Sequence, residues 1–338
     1  MRTEAEWVRL LGRRFPAGGA VRVGIGDDAA VVAGARGRDW VFTTDLMIEN
    51  VHFRRRWQPP RAVGWKALAR SLSDIAAMGA QPRYAGVALA VPAGTPAGWI
   101  KDFFAGLAAL ARRHRVRVIG GDLSAAARVT IDVQAFGEVE RDRAVRRRGA
   151  RPGDVLFVSG TLGRAALGLV CRRQGVASGR PRLQRAVRAH FYPKPRVRLA
   201  RALARRRVLT AMIDLSDGLS TDLHHLCEVS GVAARVQVAR LPVVKLPPAL
   251  ARRFRTTPLA LALHGGEDYE LLFTVPARLA ARLPARLCGV RLTGIGEITQ
   301  GRGVSLVEAD RRGRRRERRL EPLGWDHFRR PPGRRRHN

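Results

Sequence analysis

Val63-Gly-Trp-Lys-Ala-Leu-Ala-Arg-Ser-Leu-Ser-Asp-Ile-Ala-Ala-Met78, followed within a few residues by Tyr84-Ala-Gly-Val-Ala-Leu-Ala-Val91, sets the reading of the whole chain. The first run sets Leu68, Leu72 and Ile75 at helical spacing, whereas the second is a short apolar run of strand length. A helix over Val63–Met78 and a strand over Tyr84–Val91 follow. Working outward, Trp40–Thr44 reads as a strand, Pro96–Arg113 as a helix, and Val116–Ile119 and Val129–Val139 as strands. This alternation is an α/β pattern. Ala150-Arg-Pro-Gly-Asp154 is a turn signal that precedes the apolar strand Val155–Ser159 and the glycine-bounded Gly160-Thr-Leu-Gly163. A domain boundary is expected there. Beyond it, helices are expected at 164–175, 181–191, 195–206 and Leu219–Ser230, with strands at 271–275 and near 292–298. The expected organisation is a domain over 1–149, a second over 150–307, and a basic C-terminal segment over 308–338. Within that segment, 308–320 and 329–338 are charge-rich and expected to pack poorly.

A chain of 338 residues with 46% apolar content can build two cores. No apolar stretch approaches the roughly 20 residues needed to span a bilayer. The N-terminal Met1-Arg-Thr-Glu-Ala-Glu-Trp lacks the apolar centre of a secretory signal, so a cytoplasmic location is expected. Cys171, Cys227 and Cys288 are scattered singly, which disfavours zinc or disulfide exchange. The formal charge of +35 is nearly all arginine, since lysine stands only at 66, 101, 194 and 245. Such an excess suits solvated faces and a basic tail better than a nucleic-acid reading head, so nucleic acid is not expected as the main partner.

The chemistry concentrates in aspartates. They recur in Gly24-Ile-Gly26-Asp27-Asp28, Thr43-Thr44-Asp45, Ser71-Leu-Ser73-Asp74, Gly120-Gly121-Asp122 and Asp214-Leu-Ser216-Asp217-Gly218. No Gly-Lys-Ser/Thr, HRD or DFG occurs, which sets aside P-loop and protein-kinase machinery. Carboxylates of this kind suit magnesium, a hard cation that bridges oxygen ligands and substrate phosphates. Each has a bland alternative. Asp27-Asp28 could close a turn, Asp74 could pair with Arg70 one turn earlier, and Asp214 or Asp217 could cap a helix. Five such segments in a basic chain with only 28 acidic residues favour a shared site.

Taken together, Gly-Ile-Gly-Asp-Asp-Ala-Ala, Thr-Thr-Asp-Leu with His52-Phe53 after it, Leu-Ser-Asp-Ile-Ala-Ala-Met-Gly-Ala, Gly-Gly-Asp, Asp-Leu-Ser-Asp-Gly-Leu, Gly-Gly-Glu-Asp-Tyr-Glu-Leu and Gly-Trp-Asp-His-Phe closely resemble the thiamine-monophosphate kinase family. They run in that family's order from about residue 24 to residue 328. The resemblance implies a two-domain aminoimidazole-ribonucleotide synthetase-like fold, α/β then α+β, whose first sheet pairs with that of a second subunit in a homodimer. It also implies direct in-line transfer of the ATP γ-phosphoryl group to thiamine monophosphate, giving thiamine diphosphate and ADP with several magnesium ions.

Carried onto matching positions, the resemblance assigns Asp28, Thr43, Thr44, Asp45, Asp74, Asp122, Asp214 and Asp217 to magnesium. Among these, Asp45, Asp122 and Asp217 stand closest to the chemistry. Gly121, Arg147 and Ser216 would contact ATP, and Phe104 stands where relatives often carry a tyrosine near adenine. His52, Glu267 and Trp325 would hold thiamine monophosphate, the indole facing the thiazolium cation. For these three the alternatives are a structural histidine, a turn carboxylate and a tryptophan packing the C-terminus. Selenophosphate synthetase and hydrogenase-maturation relatives are disfavoured because no cysteine stands near either end.

Overall fold

The structure is a computed structural model that describes residues 3–176, 180–309 and 314–328. Its first half contains α1 (Glu4–Arg14), β1 (Val21–Val23), β2 (Ala30–Ala33), β3 (Arg38–Ile48), α2 (Pro60–Ala77), β4 (Gln81–Val91), α3 (Ala97–His114), β5 (Arg117–Ala125) and β6 (Thr130–Glu140). Six strands form one sheet in the order β1-β2-β3-β6-β4-β5, with β4 and β5 parallel across the α3 crossover. Proline at the first turn of α2 needs no amide partner there, and this starts the helix cleanly. Gly64 and Gly106 explain how closely α2 and α3 cross. A Cβ on Gly64 would sit 1.9 Å from the Phe103 carbonyl oxygen, and one on Gly106 would sit 1.8 Å from that of Arg61.

The second half begins with β7 (Asp154–Ser159), α4 (Arg164–Arg173), α5 (Pro181–Phe191), α6 (Val197–Arg205), β8 (Ala211–Asp214), α7 (Leu219–Ser230) and β9 (Ala233–Gln237). It continues with α8 (Pro248–Phe254), α9 (Pro258–His264), β10 (Leu271–Pro276), α10 (Ala277–Ala280), β11 (Arg286–Leu287), β12 (Val290–Thr299), β13 (Gly303–Ala309) and β14 (Arg315–Arg319). Its sheet runs β14-β13-β9-β12-β7-β10-β8, with β11 paired to β12.

α2 is the common centre. Leu68 and Leu72 join one buried cluster with Val87 and Ile131 of the first sheet and with Met212 and Phe273 of the second. A helix covered on several sides needs no clean polar face, and this explains why even Lys66, Ser71 and Ser73 are buried on it. Among the described residues, the opposite face of the first sheet carries no helix. Trp40, Leu46 and Tyr84 are exposed there, and all of β5 is exposed at the sheet edge.

Two local expectations change. Val116–Ile119 is part of a longer strand, so Gly120-Gly121-Asp122 lies within β5 and not in a loop. Gly121 is required by a close approach, since a Cβ would stand 1.8 Å from the Val87 carbonyl oxygen. Residues 308–320 are not wholly unpacked: β13 crosses position 307 and pairs with β14 from Ser305↔Arg319 to Ala309↔Arg315. The Arg318–Glu308 and Arg235–Glu317 ion pairs suit this basic strand to the sheet edge. The expectation for 329–338 lies outside the described residues.

Candidate active site

The Asp27-Asp28 turn ends the approach to β2 and is closed from within. Asp27 Oδ1 accepts hydrogen bonds from the amides of Asp28 (3.0 Å) and Arg147 (3.1 Å). Asp28, thereby turned inward, receives the Arg147 guanidinium at 2.7 Å. Of the Arg146-Arg147-Arg148 run, only Arg147 is drawn in; its neighbours are exposed. Asp74 projects from α2 and accepts the Thr43 hydroxyl of β3 at 2.7 Å, so its partner is Thr43 and not Arg70. Asp214 ends β8, where the Ser73 hydroxyl donates to it at 2.6 Å. Asp217 lies in the turn from β8 to α7, so Asp214 and Asp217 flank a strand-to-helix connection and do not share a helix. Behind that turn, Asp222 accepts the Asp217 and Gly218 amides at 3.2 and 3.0 Å.

Asp28, Asp74 and Asp214 each bring a carboxylate oxygen to within 4.8 Å of the others. Burial raises all three above the ordinary range, Asp28 to about 6 and Asp214 to about 8, because little water remains to solvate the negative form. The same cause lifts Asp217 to about 7. Asp28 Oδ2 and Asp45 Oδ2 are buried with no hydrogen-bond partner. Three converging carboxylates, one of them with a buried oxygen left without a partner, fit a hard divalent cation.

Beside the acids opens a cavity of about 1840 Å³. A typical small-molecule pocket is about 300–1,000 Å³, so two substrates fit side by side. Asp45, His52, Arg147, Ser216, Glu267 and Trp325 all line it. His52 Nδ1 accepts the Ile48 amide at 3.0 Å, and its Nε2 faces His327 Nε2 at 3.4 Å. Burial lowers the imidazole to about 3, so it is neutral at physiological pH. Trp325 is 46% exposed, which does not suit a residue whose work is to pack the C-terminus. Its backbone is nonetheless fixed, the Trp325 amide donating to the Asp217 carbonyl at 3.1 Å. Gly324 makes that seat possible, since a Cβ would lie 2.2 Å from the Asp217 carbonyl oxygen.

The Gly265-Gly266-Glu267-Asp268-Tyr269-Glu270 loop runs beside Leu215-Ser216, with the Glu267 amide donating to the Ser216 carbonyl at 2.7 Å. Each acid in it has a fixed partner. Glu267 is ion-paired to fully buried Lys66 of α2, and His190 Nδ1 of α5 lies 2.9 Å from its second oxygen. Burial alone would raise Glu267, but Lys66 and His190 hold it below the usual carboxylate range. Asp268 accepts the Gly163 and Ala165 amides at the start of α4, and Glu270 receives the Arg196 guanidinium and the Ser159 hydroxyl.

Four expected residues stand apart. Thr44 points to the open face of the sheet, where its hydroxyl donates to Asp132 at 2.6 Å. Asp122 shares that face, in one cross-strand row with Ala88, Asp132 and Leu46. Gly121 and Asp45 lie in the next row at opposite ends, three strand spacings or roughly 14 Å apart. Phe104 packs against the first core, edge-on to Phe103 at 5.1 Å, and does not line the cavity. Conversely, Lys66, Arg70, His190 and His327 belong to the site and were not legible as such. Lys66 and Arg70 precede Asp74 by two turns and one turn, a spacing that puts all three on one helical face but does not say what that face meets.

Two family models match the chain: AIR synthase related protein, N-terminal domain, over residues 26–139, and the corresponding C-terminal domain over residues 151–311. Thiamine-monophosphate kinase of Haemophilus influenzae is 38% identical over 83% of this chain and 84% of its own length. The Escherichia coli enzyme of the same name is 36% identical over 92% and 93%. Among solved structures, AaThiL complexed with AMPPCP and TMP superposes with a TM-score of 0.84 at 32% identity, covering 97% of this chain and 99% of that one. Escherichia coli HypE, a hydrogenase maturation protein, matches at 22% identity with a TM-score of 0.67 over 86% and 88%, a likeness of fold alone.

Proposed function

The chain belongs to the thiamine-monophosphate kinase family, and from that membership we propose that it transfers the γ-phosphoryl group of ATP to the phosphate of thiamine monophosphate, giving thiamine diphosphate and ADP. The observation that carries this reading is the convergence of Asp28, Asp74 and Asp214 beside a cavity wide enough for both substrates. A phosphate oxygen of the acceptor attacks the γ-phosphorus as the bond to the ADP oxygen breaks. The acceptor oxygen is already anionic, so no general base is required, and the catalytic work is positioning and charge stabilisation.

Asp28, Asp45, Asp74, Asp214 and Asp217, with the Thr43 hydroxyl beside Asp74, are the residues that would hold magnesium. Bound there, the metal supplies charge neutralisation for the polyphosphate. Arg147 offers a planar guanidinium fork to the nucleotide phosphates, with Ser216 beside it. His52, Glu267 and Trp325 line the acceptor side. The neutral His52 ring keeps its Nε2 proton for donation because Nδ1 already accepts an amide. Glu267 is held rigid by Lys66 and His190, and the exposed Trp325 face meets the thiazolium cation.

Gly121 and Asp122 would act from a second copy of the chain laid over the open sheet face. That face presents Thr44, Asp122 and Asp132 together with exposed Trp40, Leu46 and Tyr84, a mixture of apolar surface and acids that suits an isologous interface. The homodimer and the magnesium requirement are parts of the same proposal. Incubating the purified chain with ATP, magnesium and thiamine monophosphate, then separating the thiamine phosphates, is expected to give thiamine diphosphate, with free thiamine left unphosphorylated. Efficient phosphorylation of thiamine, or none of the monophosphate, would overturn this function.

A further inference from the structure

α2 carries a second row of charge beyond its known acid. Lys66, Arg70 and Asp74 follow one another at intervals of four residues and so share one face of the helix. Lys66 is committed to Glu267, and Asp74 accepts the Thr43 hydroxyl. Arg70 is different. Its Nη2 donates to Asp45 Oδ1 at 3.1 Å, and among the described residues this guanidinium makes no other hydrogen bond. An arginine has five N–H donors in a rigid fork, so most of this fork is left unused. Arg70 lines the cavity with its side chain only 16% exposed, where a cation is not accounted for by packing.

Its position specifies the ligand. Asp45, Tyr269 and Glu267 are its chief charged or ionisable neighbours, and Arg70 in turn acts on the charge of His52. Glu267 and His52 belong to the acceptor side and Asp45 to the acids, so Arg70 stands between the two, whereas the other inward guanidinium, Arg147, is bound to Asp28 among the clustered acids. A buried planar fork with open donors, standing between the acids and the acceptor pocket, suits the oxygens of a phosphate monoester. We propose that Arg70 grips the phosphate of the acceptor and thereby separates thiamine monophosphate from thiamine. The proposal rests on the functional reading above and adds to it a specificity residue that none of the matched sequence motifs assigns.

Binding of thiamine monophosphate and of free thiamine, each measured by titration calorimetry on the wild-type chain and on Arg70→Met, tests the idea. Removing a charge-assisted pair should weaken the monophosphate about 10- to 100-fold and leave thiamine within about twofold. Arg70→Lys, which keeps charge without the fork, should fall between. Equal weakening of both ligands would mean that Arg70 acts only by shaping Asp45, and unchanged monophosphate binding would mean no contact. Either result overturns the proposal. A second measurement needs no variant. Thiamine monophosphate, but not thiamine, should protect Arg70 of the wild-type chain from phenylglyoxal, read site by site by mass spectrometry; equal labelling with both also overturns it. A wild-type chain that binds no thiamine monophosphate at all would instead overturn the proposed function.

Discussion

The two ends of the charged row on α2 solve opposite electrostatic problems. At the Asp74 end, carboxylates are gathered with too few cations, and burial drives Asp28, Asp74 and Asp214 toward protonation. At the Lys66 end a single carboxylate, Glu267, is held ionised by a buried lysine and a neutral histidine. The difference separates a site that awaits an added cation from one already complete. The same helix therefore carries a loading end and a rigid end, with Arg70 between them.

The largest expected effect breaks the first end. Asp214→Asn removes one of three converging carboxylates, and turnover should fall by several orders of magnitude with a raised magnesium requirement and a fold unchanged by circular dichroism. Near-normal turnover at low magnesium would show that Asp214 only ends its strand. At the other end, Lys66→Met leaves Glu267 without its principal cation and should cost about 3–5 kcal/mol of stability by denaturant unfolding. Adding Glu267→Gln should restore a good part of that loss; a strictly additive pair would show that the two do not interact.

Trp325→Leu keeps apolar bulk and removes the aromatic face. The apparent KM for thiamine monophosphate should rise about 2- to 30-fold, with that for ATP little changed, since a cation over indole contributes about 0.5–2 kcal/mol. Earlier melting with normal substrate binding would return the residue to a packing role. The smallest effect separates the two ends by pH. Asp28, Asp214 and Asp217, raised chiefly by burial from the ordinary 3.8 to about 6, 8 and 7, keep protons in the folded metal-free chain that the unfolded chain has released. Their contribution to stability is full below about pH 4 and is lost as pH rises through about 8. The metal-free melting temperature should therefore drift down across that window, and saturating magnesium should flatten the slope. An upward drift without metal would show the cluster to be ionised already.

Elements set by strong local periodicity were legible in advance: Leu219–Ser230 is the seventh helix as read, and α2, β4, α3 and β6 differ by a few residues at their ends. Short strands such as β8 and β9 were missed, β8 because four buried residues show no period of their own and β9 because five residues are too few for their alternation to stand out. The clustered aspartates were legible because a basic chain has no cheap reason to concentrate acid beside glycine and hydroxyl residues. Lys66 and Arg70 were not, since on a helix covered from several sides a basic residue gives no sign of whether it faces water or a carboxylate on another element. Thr44 exposes another limit. Adjacent strand residues point to opposite faces, so Thr43-Thr44-Asp45 cannot turn three side chains toward one ion from within one chain.

The seat of Gly324 and Trp325 on the Asp217 turn, with His327 meeting His52, also ties the two halves of the chain together. Trp325 and His327 stand edge-on with ring centroids 5.5 Å apart on the cavity wall, carried by the same turn that presents Asp217. One stretch of backbone thus sets the position of an acid and of an aromatic wall together, so neither can shift without the other.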